Sequence, residues 1–263
     1  MKTEPPRLTA LRTVSVLGVR IHALSLEQLL GLILHVSVHQ ERAIVAYVNV
    51  HAMNLACEAS WFRAFFNQSE VVFCDGFGVK WGARLLGARL PERFTPPDWL
   101  PRLAELAAQH GLTFFFVGSR PGVAAAAAVR LQAQFPTLKI VGTQHGEFDK
   151  TLGCVENDAV VRAINAARPN VLLVGFGMPL QEKWLLENWK RLDGNVALPV
   201  GAALDYMAGA TPRGPRWMRD HGLEWLARLL IEPRRLWRRY LIGNPLFLWR
   251  VLLQRAGLLR FED

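Results

Sequence analysis

The carboxylate best placed for chemistry is Asp75. It ends the apolar run Val71-Val72-Phe73-Cys74 and is followed by Gly76-Phe77-Gly78, which opens a helical pattern. At the carboxyl end of a parallel strand such a group can take a proton from a bound hydroxyl. Asp is equally favoured there as an N-cap, bonding the first turn of the next helix. Asp205, after Gly201-Ala202-Ala203-Leu204, carries the same two readings: acceptor for a ribose or sugar hydroxyl, or cap. Gln181 follows Gly177-Met178-Pro179 near a helix start, where its amide can read a base or a sugar. Arg93 and Asp98 flank Phe94-Thr95-Pro96-Pro97, and the prolines argue for a fixed loop.

What is missing narrows the chemistry. There is no Asp-x-Asp and no Cys-x-x-Cys, so neither an obligatory metal nor a cofactor is expected. The seven histidines are scattered and read as structural or exposed. No P-loop, no dinucleotide fingerprint with its third glycine and no Gly-x-Ser-x-Gly elbow occurs. Cys57, Cys74 and Cys154 are odd in number and far apart, which excludes a disulfide scaffold and suggests a reducing compartment. The start of the sequence has no signal-peptide pattern, and no apolar run is long enough to span a bilayer. A cytoplasmic location is expected.

The elements that must position these groups alternate. Strand-like runs at 14–17, 44–49, 71–74, 113–117, 138–141, 171–175 and 196–200 are separated by helical patterns at 26–38, 61–67, 76–86, 100–110, 123–135, 155–167 and 181–190. With 263 residues and 51% apolar content, this predicts an α/β, Rossmann-like, mainly parallel sheet flanked by helices. Glycine-rich turns at Gly118, Gly175-Phe176-Gly177 and Gly201 follow strands, where backbone N–H groups can approach a phosphate.

From about residue 213 the alternation stops. The spacing predicts helices over 216–231, from Pro233 and from Pro245, so the chain divides into a 1–212 core and a 213–263 helical appendage. Residues 213–263 hold eleven arginines, no lysine and five acids, a net of +6 out of +9 for the whole chain. They also hold Trp217, Trp225, Trp237 and Trp249. Arginine with tryptophan on an apolar helical tail suits an anionic membrane surface. A nucleic-acid-binding module is the competing reading of the charge, but the tail is apolar between its arginines and no nucleic-acid motif accompanies it. A catalytically inert membrane scaffold is a third reading, disfavoured by the intact Asp75, Arg93 and Gln181.

Several motifs stand in one order: Val48-Asn49, Cys74-Asp-Gly-Phe-Gly-Val79, Leu90-Pro-Glu-Arg93, Val117-Gly-Ser-Arg-Pro-Gly-Val123, Gly142-Thr-Gln-His-Gly146, Val174-Gly-Phe-Gly-Met-Pro-Leu-Gln-Glu-Lys-Trp184, Asp205-Tyr-Met-Ala-Gly209 and Arg216-Trp-Met-Arg-Asp-His-Gly-Leu-Glu-Trp225. Glu232-Pro-Arg-Arg and Arg238-Arg-Tyr240 complete the series. On these motifs, from about residue 14 to 250, the chain resembles the bacterial WecG/TagA/CpsF glycosyltransferases. The resemblance implies metal-independent, inverting transfer of a sugar from a UDP-sugar to a polyprenyl-diphosphate-linked (undecaprenyl-type) acceptor. The implied setting is peripheral, on the inner face of the cell membrane, in cell-surface polysaccharide or teichoic acid synthesis. N-acetylmannosamine is the sugar of the best-known members; relatives use UDP-glucose or UDP-N-acetylmannosaminuronate. It further implies that Asp75 is the base, that Arg228, Arg235 and Arg238 are the catalytic arginines of the appendage, and that Tyr47, Asn49, Arg93, Asp98, Gly118, Gly175, Gly177, Gln181 and Asp205 line the substrate pockets. A homo-oligomer is compatible with this picture. Tyr47 stands where many members carry Thr, Pro96-Pro97-Asp98 replaces a common Gly-x-Asp, and Leu204 replaces a usual Phe; the first two bear on which sugar is taken.

Overall fold

Strands that read as unbroken apolar runs belong inside a sheet covered on both faces, and the computed structural model, which describes residues 11–261, has that arrangement. A short antiparallel hairpin comes first, β1 (Thr13–Val16) and β2 (Val19–His22), turning at Leu17-Gly18, both with positive φ. The helix α1 (Leu26–Val38) starts with a capping box between Ser25 and Gln28. Then follow β3 (Ala43–Val48), α2 (Val50–Glu58), α3 (Ser60–Gln68), β4 (Val71–Cys74), α4 (Phe77–Leu85), α5 (Pro96–His110), β5 (Thr113–Gly118) and α6 (Val123–Gln134). The core ends with β6 (Lys139–Gln144), α7 (Val155–Ala167), β7 (Val171–Gly175), α8 (Leu180–Asn188), β8 (Val196–Pro199) and α9 (Ala203–Ala208).

The six strands β3 to β8 pair in parallel throughout, in the order β4-β3-β8-β7-β5-β6. Every residue of β3, β4, β7 and β8 is buried, whereas the edge strand β6 has none buried. Each sheet face carries its own core. One joins Leu29, Trp99, Leu103, Ala127 and Leu204 to Val45, Phe73, Phe114 and Leu173. The other joins Met53, Phe62, Val79, Val161 and Leu185 to Ala46, Val72, Val117 and Leu172. The expected α/β architecture is therefore present.

The tail runs through α10 (Arg216–Asp220), α11 (Glu224–Ile231), α12 (Pro233–Trp237), a π-helical turn (Arg238–Ile242) and α13 (Gly243–Arg255). The single helix expected over 216–231 is broken, because Gly222 adopts φ +77°. A side chain at 222 would also meet the Phe77 ring at 2.9 Å, so glycine lets this break close against α4. At its far end the tail joins the core: Phe247 and Val251 are fully buried in the second cluster. Gln254 Oε1 accepts the Leu17 N–H at 2.8 Å, and Arg250 bonds the Asn54 carbonyl and Glu58. Each of the two buried side chains contributes about 1.5–3 kcal/mol.

Candidate active site

Register fixes the centre of the site. Val48 of β3 pairs with Cys74 of β4, so the next residues, Asn49 and Asp75, emerge side by side at the carboxyl lip of the sheet. Asn49 caps α2, its Oδ1 accepting the Ala52 N–H at 3.1 Å. Its Nδ2 is 3.4 Å from Asp75 Oδ2. Asp75 is not the cap of α4; Gly76 is, leaving the carboxylate free to point elsewhere. The Phe94 N–H bonds the Cys74 carbonyl at 3.1 Å, which draws in the 90–95 loop. Thr95 Oγ1 consequently donates to Asp75 Oδ1 at 2.8 Å and accepts from Arg93 Nη1 at 3.1 Å.

The carboxylate opens on a cavity of about 320 Å³, walled from the core by Asn49, His51, Phe77, Trp81, Arg93 and Thr95, and from the tail by Arg219, Glu224, Trp225, Arg228, Arg239, Tyr240 and Phe247. Enclosure pushes the Asp75 carboxyl up to about 6; the Glu224 charge adds to this, while the Thr95 and Asn49 hydrogen bonds and Arg228 oppose it. Burial likewise brings His51 down to about 4, with Arg239 assisting. Arg228 and Arg239 make no ion pair and no side-chain hydrogen bond among the described residues, and the Nε of each is sealed from solvent without a partner. Burial, joined by the Arg228 charge, pulls the Arg239 pKa below its ordinary value.

Arg235 and Arg238, expected beside Arg228, do not line the cavity. Arg235 is exposed and pairs with Glu232, while Arg238 is exposed and lies over the Trp237 ring at 5.2 Å. The break between α11 and α12 at Glu232-Pro233, followed by the π turn, prevents Arg228, Arg235 and Arg238 from sharing one helical face.

Asp98 lies outside the cavity too, in the first turn of α5, where it gathers arginines. Its Oδ1 is 2.7 Å from Arg213 Nη1 and 3.0 Å from Arg219 Nη1, and its Oδ2 is 3.8 Å from Arg93. Arg93 also donates to the Arg219 carbonyl at 3.0 Å and stacks on Phe77 at 4.8 Å.

A second group occupies the carboxyl ends of β5, β7 and β8. A Cβ at Gly118 would meet the Gly175 carbonyl at 2.5 Å, and φ there is +149°, so these strand ends meet closely only as glycines. Asp205 accepts from Ser119 Oγ at 2.9 Å and does not cap α9, whose N-cap is Ala202. Gly177 takes φ +79° in the turn before α8. Gln181 is buried: its Oε1 accepts the Gly201 N–H at 3.0 Å and its Nε2 donates to Glu182 at 2.8 Å. Glu182 is buried as well, and burial brings its carboxyl up to about 7. Tyr47 joins the two groups. Its hydroxyl lies where a Cβ at Gly201 would meet it at 2.7 Å, and burial, aided by the Asp75 and Glu182 charges, drives its pKa up.

The sequence reading did not single out Thr95, Glu182, Arg219, Glu224 or Arg239. Glu224 and Arg239 fall inside motifs, Arg216 to Trp225 and Arg238 to Tyr240, yet only a fold could reveal which side chains face Asp75. His35 lies in the last turn of α1 and His39 is its C-cap, their ring centroids 4.0 Å apart. No group of three or more His, Cys, Asp or Glu among the described residues is clustered to hold a metal. None of the described helices is long and apolar enough to cross a membrane.

Comparison with known proteins agrees with the motif series. The model of the "Glycosyl transferase WecG/TagA/CpsF family" matches residues 14–260. Among curated proteins, the N-acetylglucosaminyldiphosphoundecaprenol N-acetyl-beta-D-mannosaminyltransferase of Staphylococcus aureus strain NCTC 8325 is 27% identical over 207 residues, covering 79% of this chain and 78% of that protein. Its counterpart in strain MW2 has the same identity and coverage.

Proposed function

Because the chain belongs to the WecG/TagA/CpsF family of glycosyl transferases, we propose that it moves N-acetylmannosamine or a closely related sugar from a UDP-sugar to a polyprenyl-diphosphate-linked acceptor. The proposed transfer is inverting and metal-free and serves cell-surface polysaccharide or teichoic acid synthesis. One observation carries the reading: a carboxylate held by Thr95 and Asn49 and an unpaired guanidinium, Arg228, share the walls of one cavity.

Asp75 takes the proton of the acceptor hydroxyl as that oxygen attacks the anomeric carbon. The new C–O bond forms opposite the breaking bond, so the configuration inverts, and the electron pair of the broken bond departs on the UDP diphosphate. Charge grows on that diphosphate in the transition state. Arg228 is suited to offset it, since guanidinium pairs bidentately with phosphate oxygens and stays ionised. A preorganised donor of this kind contributes ~3 kcal/mol. The glycine-lined ends of β5 and β7, with Asp205, suit the nucleotide, because N–H groups there are free of Cβ obstruction. Gln181, expected as a substrate contact, is fully buried and bonded to Gly201 and Glu182, so it braces these strand ends from beneath. Phe77, Trp81 and Trp225 give the cavity an aromatic wall against which a sugar ring can pack.

The lipid-linked acceptor brings the tail to a membrane. Trp217 and Trp249 are 60% and 59% exposed, and Trp237, Leu241 and Ile242 are exposed beside Arg235 and Arg238. Aromatic rings at headgroup level with arginines toward anionic lipid make a peripheral attachment. The relevant experiment offers purified protein a synthetic polyprenyl-diphosphate N-acetylglucosamine acceptor with UDP-N-acetylmannosamine, UDP-N-acetylmannosaminuronate or UDP-glucose and weighs the product. A product with the first donor supports the reading. Exclusive use of another donor would reassign the sugar, and no product with any would overturn the activity.

A further inference from the structure

We propose that Arg239, not Arg235 or Arg238, is the second guanidinium that grips the diphosphate beside Arg228. The proposal rests on the glycosyltransferase reading above and adds a ligand to it. Arg239 enters the cavity because the π-helical turn Arg238–Ile242 interrupts the helical run between α12 and α13. Its neighbour Arg238 faces outward and covers Trp237, whereas Arg239 is withdrawn, its Nε sealed and without a partner among the described residues.

Two unpaired guanidiniums in one partly desolvated cavity repel each other and lack the water that would solvate them. Among the described residues, the only carboxylates on the cavity wall are Asp75 and Glu224. Thr95 and Asn49 bond the first, Arg213 the second, and neither forms an ion pair with Arg228 or Arg239. Such an arrangement is unfavourable until an anion with more than one phosphate arrives. A diphosphate spans two guanidiniums where a monophosphate engages fewer donors, so the pair selects the length of the anion as well as its charge. The same two guanidiniums offset the charge that collects on the diphosphate as it takes the electron pair of the breaking anomeric C–O bond.

The test uses the full chain with UDP and UMP as probes, by calorimetry and by thermal shift. R239A is expected to weaken UDP binding about 10–100-fold and to change UMP binding much less, while R235A and R238A stay within about twofold of wild type. R239K keeps the charge but not the fork and falls between. R239M removes an unpaired buried charge, so without ligand its Tm is expected to rise by about 2–4 °C, while the Tm gain on adding UDP disappears. A merely structural arginine would lower Tm and leave the UDP-to-UMP ratio alone. Unchanged UDP binding in R239A, or a larger loss in R235A or R238A, overturns the assignment while the transferase reading survives. Wild-type protein that binds no UDP overturns the donor reading, and this assignment with it.

Discussion

Asp98 at the start of α5 holds Arg213 of the tail at 2.7 Å, and the same carboxylate oxygen holds Arg219 at 3.0 Å. Through these contacts a core carboxylate that never reaches the cavity closes its outer wall, since Arg219 lines it and Arg93 bonds the Arg219 carbonyl. D98N is expected to loosen the tail. Amide hydrogen exchange across residues 213–242 should speed up, and kcat/KM should drop about tenfold, as for loss of a partly buried charged hydrogen bond. D98E should recover part of both. Unchanged exchange in D98N would show that the three arginines do not depend on it.

With Asp75 as the proposed base, D75N should lower kcat by about 10²–10⁴-fold. Donor affinity should stay near wild type. The variant should be no less stable at neutral pH, because the amide carries no buried charge. Steady-state kinetics alongside calorimetric binding separates the two effects. Near-normal kcat would remove Asp75 from the mechanism.

With the Asp75 carboxyl at about 6 in the free protein, kcat/KM should fall tenfold per unit below that pH and level off above it. The base works unprotonated, which sets the sign. Two variants should move this acid limb in opposite directions. T95V removes a donor that stabilises the carboxylate, so the limb should shift to higher pH; E224Q removes a repelling charge, so it should shift lower. Glu224 also pairs with Arg213, so E224Q is judged by where the limb lies, not by its height. Shifts of the same sign in both variants would contradict this electrostatic picture.

The exposed tryptophans should govern attachment. Combined W217A and W249A is expected to reduce sedimentation with vesicles containing anionic phosphatidylglycerol, and raised salt should reduce it for wild type. Turnover of a short, water-soluble acceptor should persist in the variant. Equal vesicle binding with and without these side chains would place the contact elsewhere.

The sheet was legible because parallel strands leave continuous apolar runs: 71–74 and 171–175 coincide with β4 and β7, and α1 and α7 match their expected bounds. The hairpin partner β2 was not, since Val19-Arg20-Ile21-His22 is short and follows its mate after two residues. Helix α2 escaped because it begins directly after β3, with Asn49 serving as both cap and site residue. The tail was the least legible part. Its helices are set by Gly222 closing on Phe77 and by a π turn, tertiary events that carry no periodic signal, and these decide that Arg239 and not Arg238 faces Asp75. Asp98 was expected as a substrate contact; its charge instead binds arginines that lie over a hundred residues away in sequence.

In the proposed reaction a sheet-edge carboxylate and tail guanidiniums act on one sugar from opposite sides without a metal. The most direct measurement gives the full chain UDP-N-acetylmannosamine and a polyprenyl-diphosphate N-acetylglucosamine acceptor in excess EDTA, and reads the anomeric configuration of the product by NMR. A product of inverted configuration, formed at the same rate with and without EDTA and lost in D75N and R228A, is the expected result. A product of retained configuration, or activity that vanishes in EDTA and returns with Mg²⁺ or Mn²⁺, would contradict it.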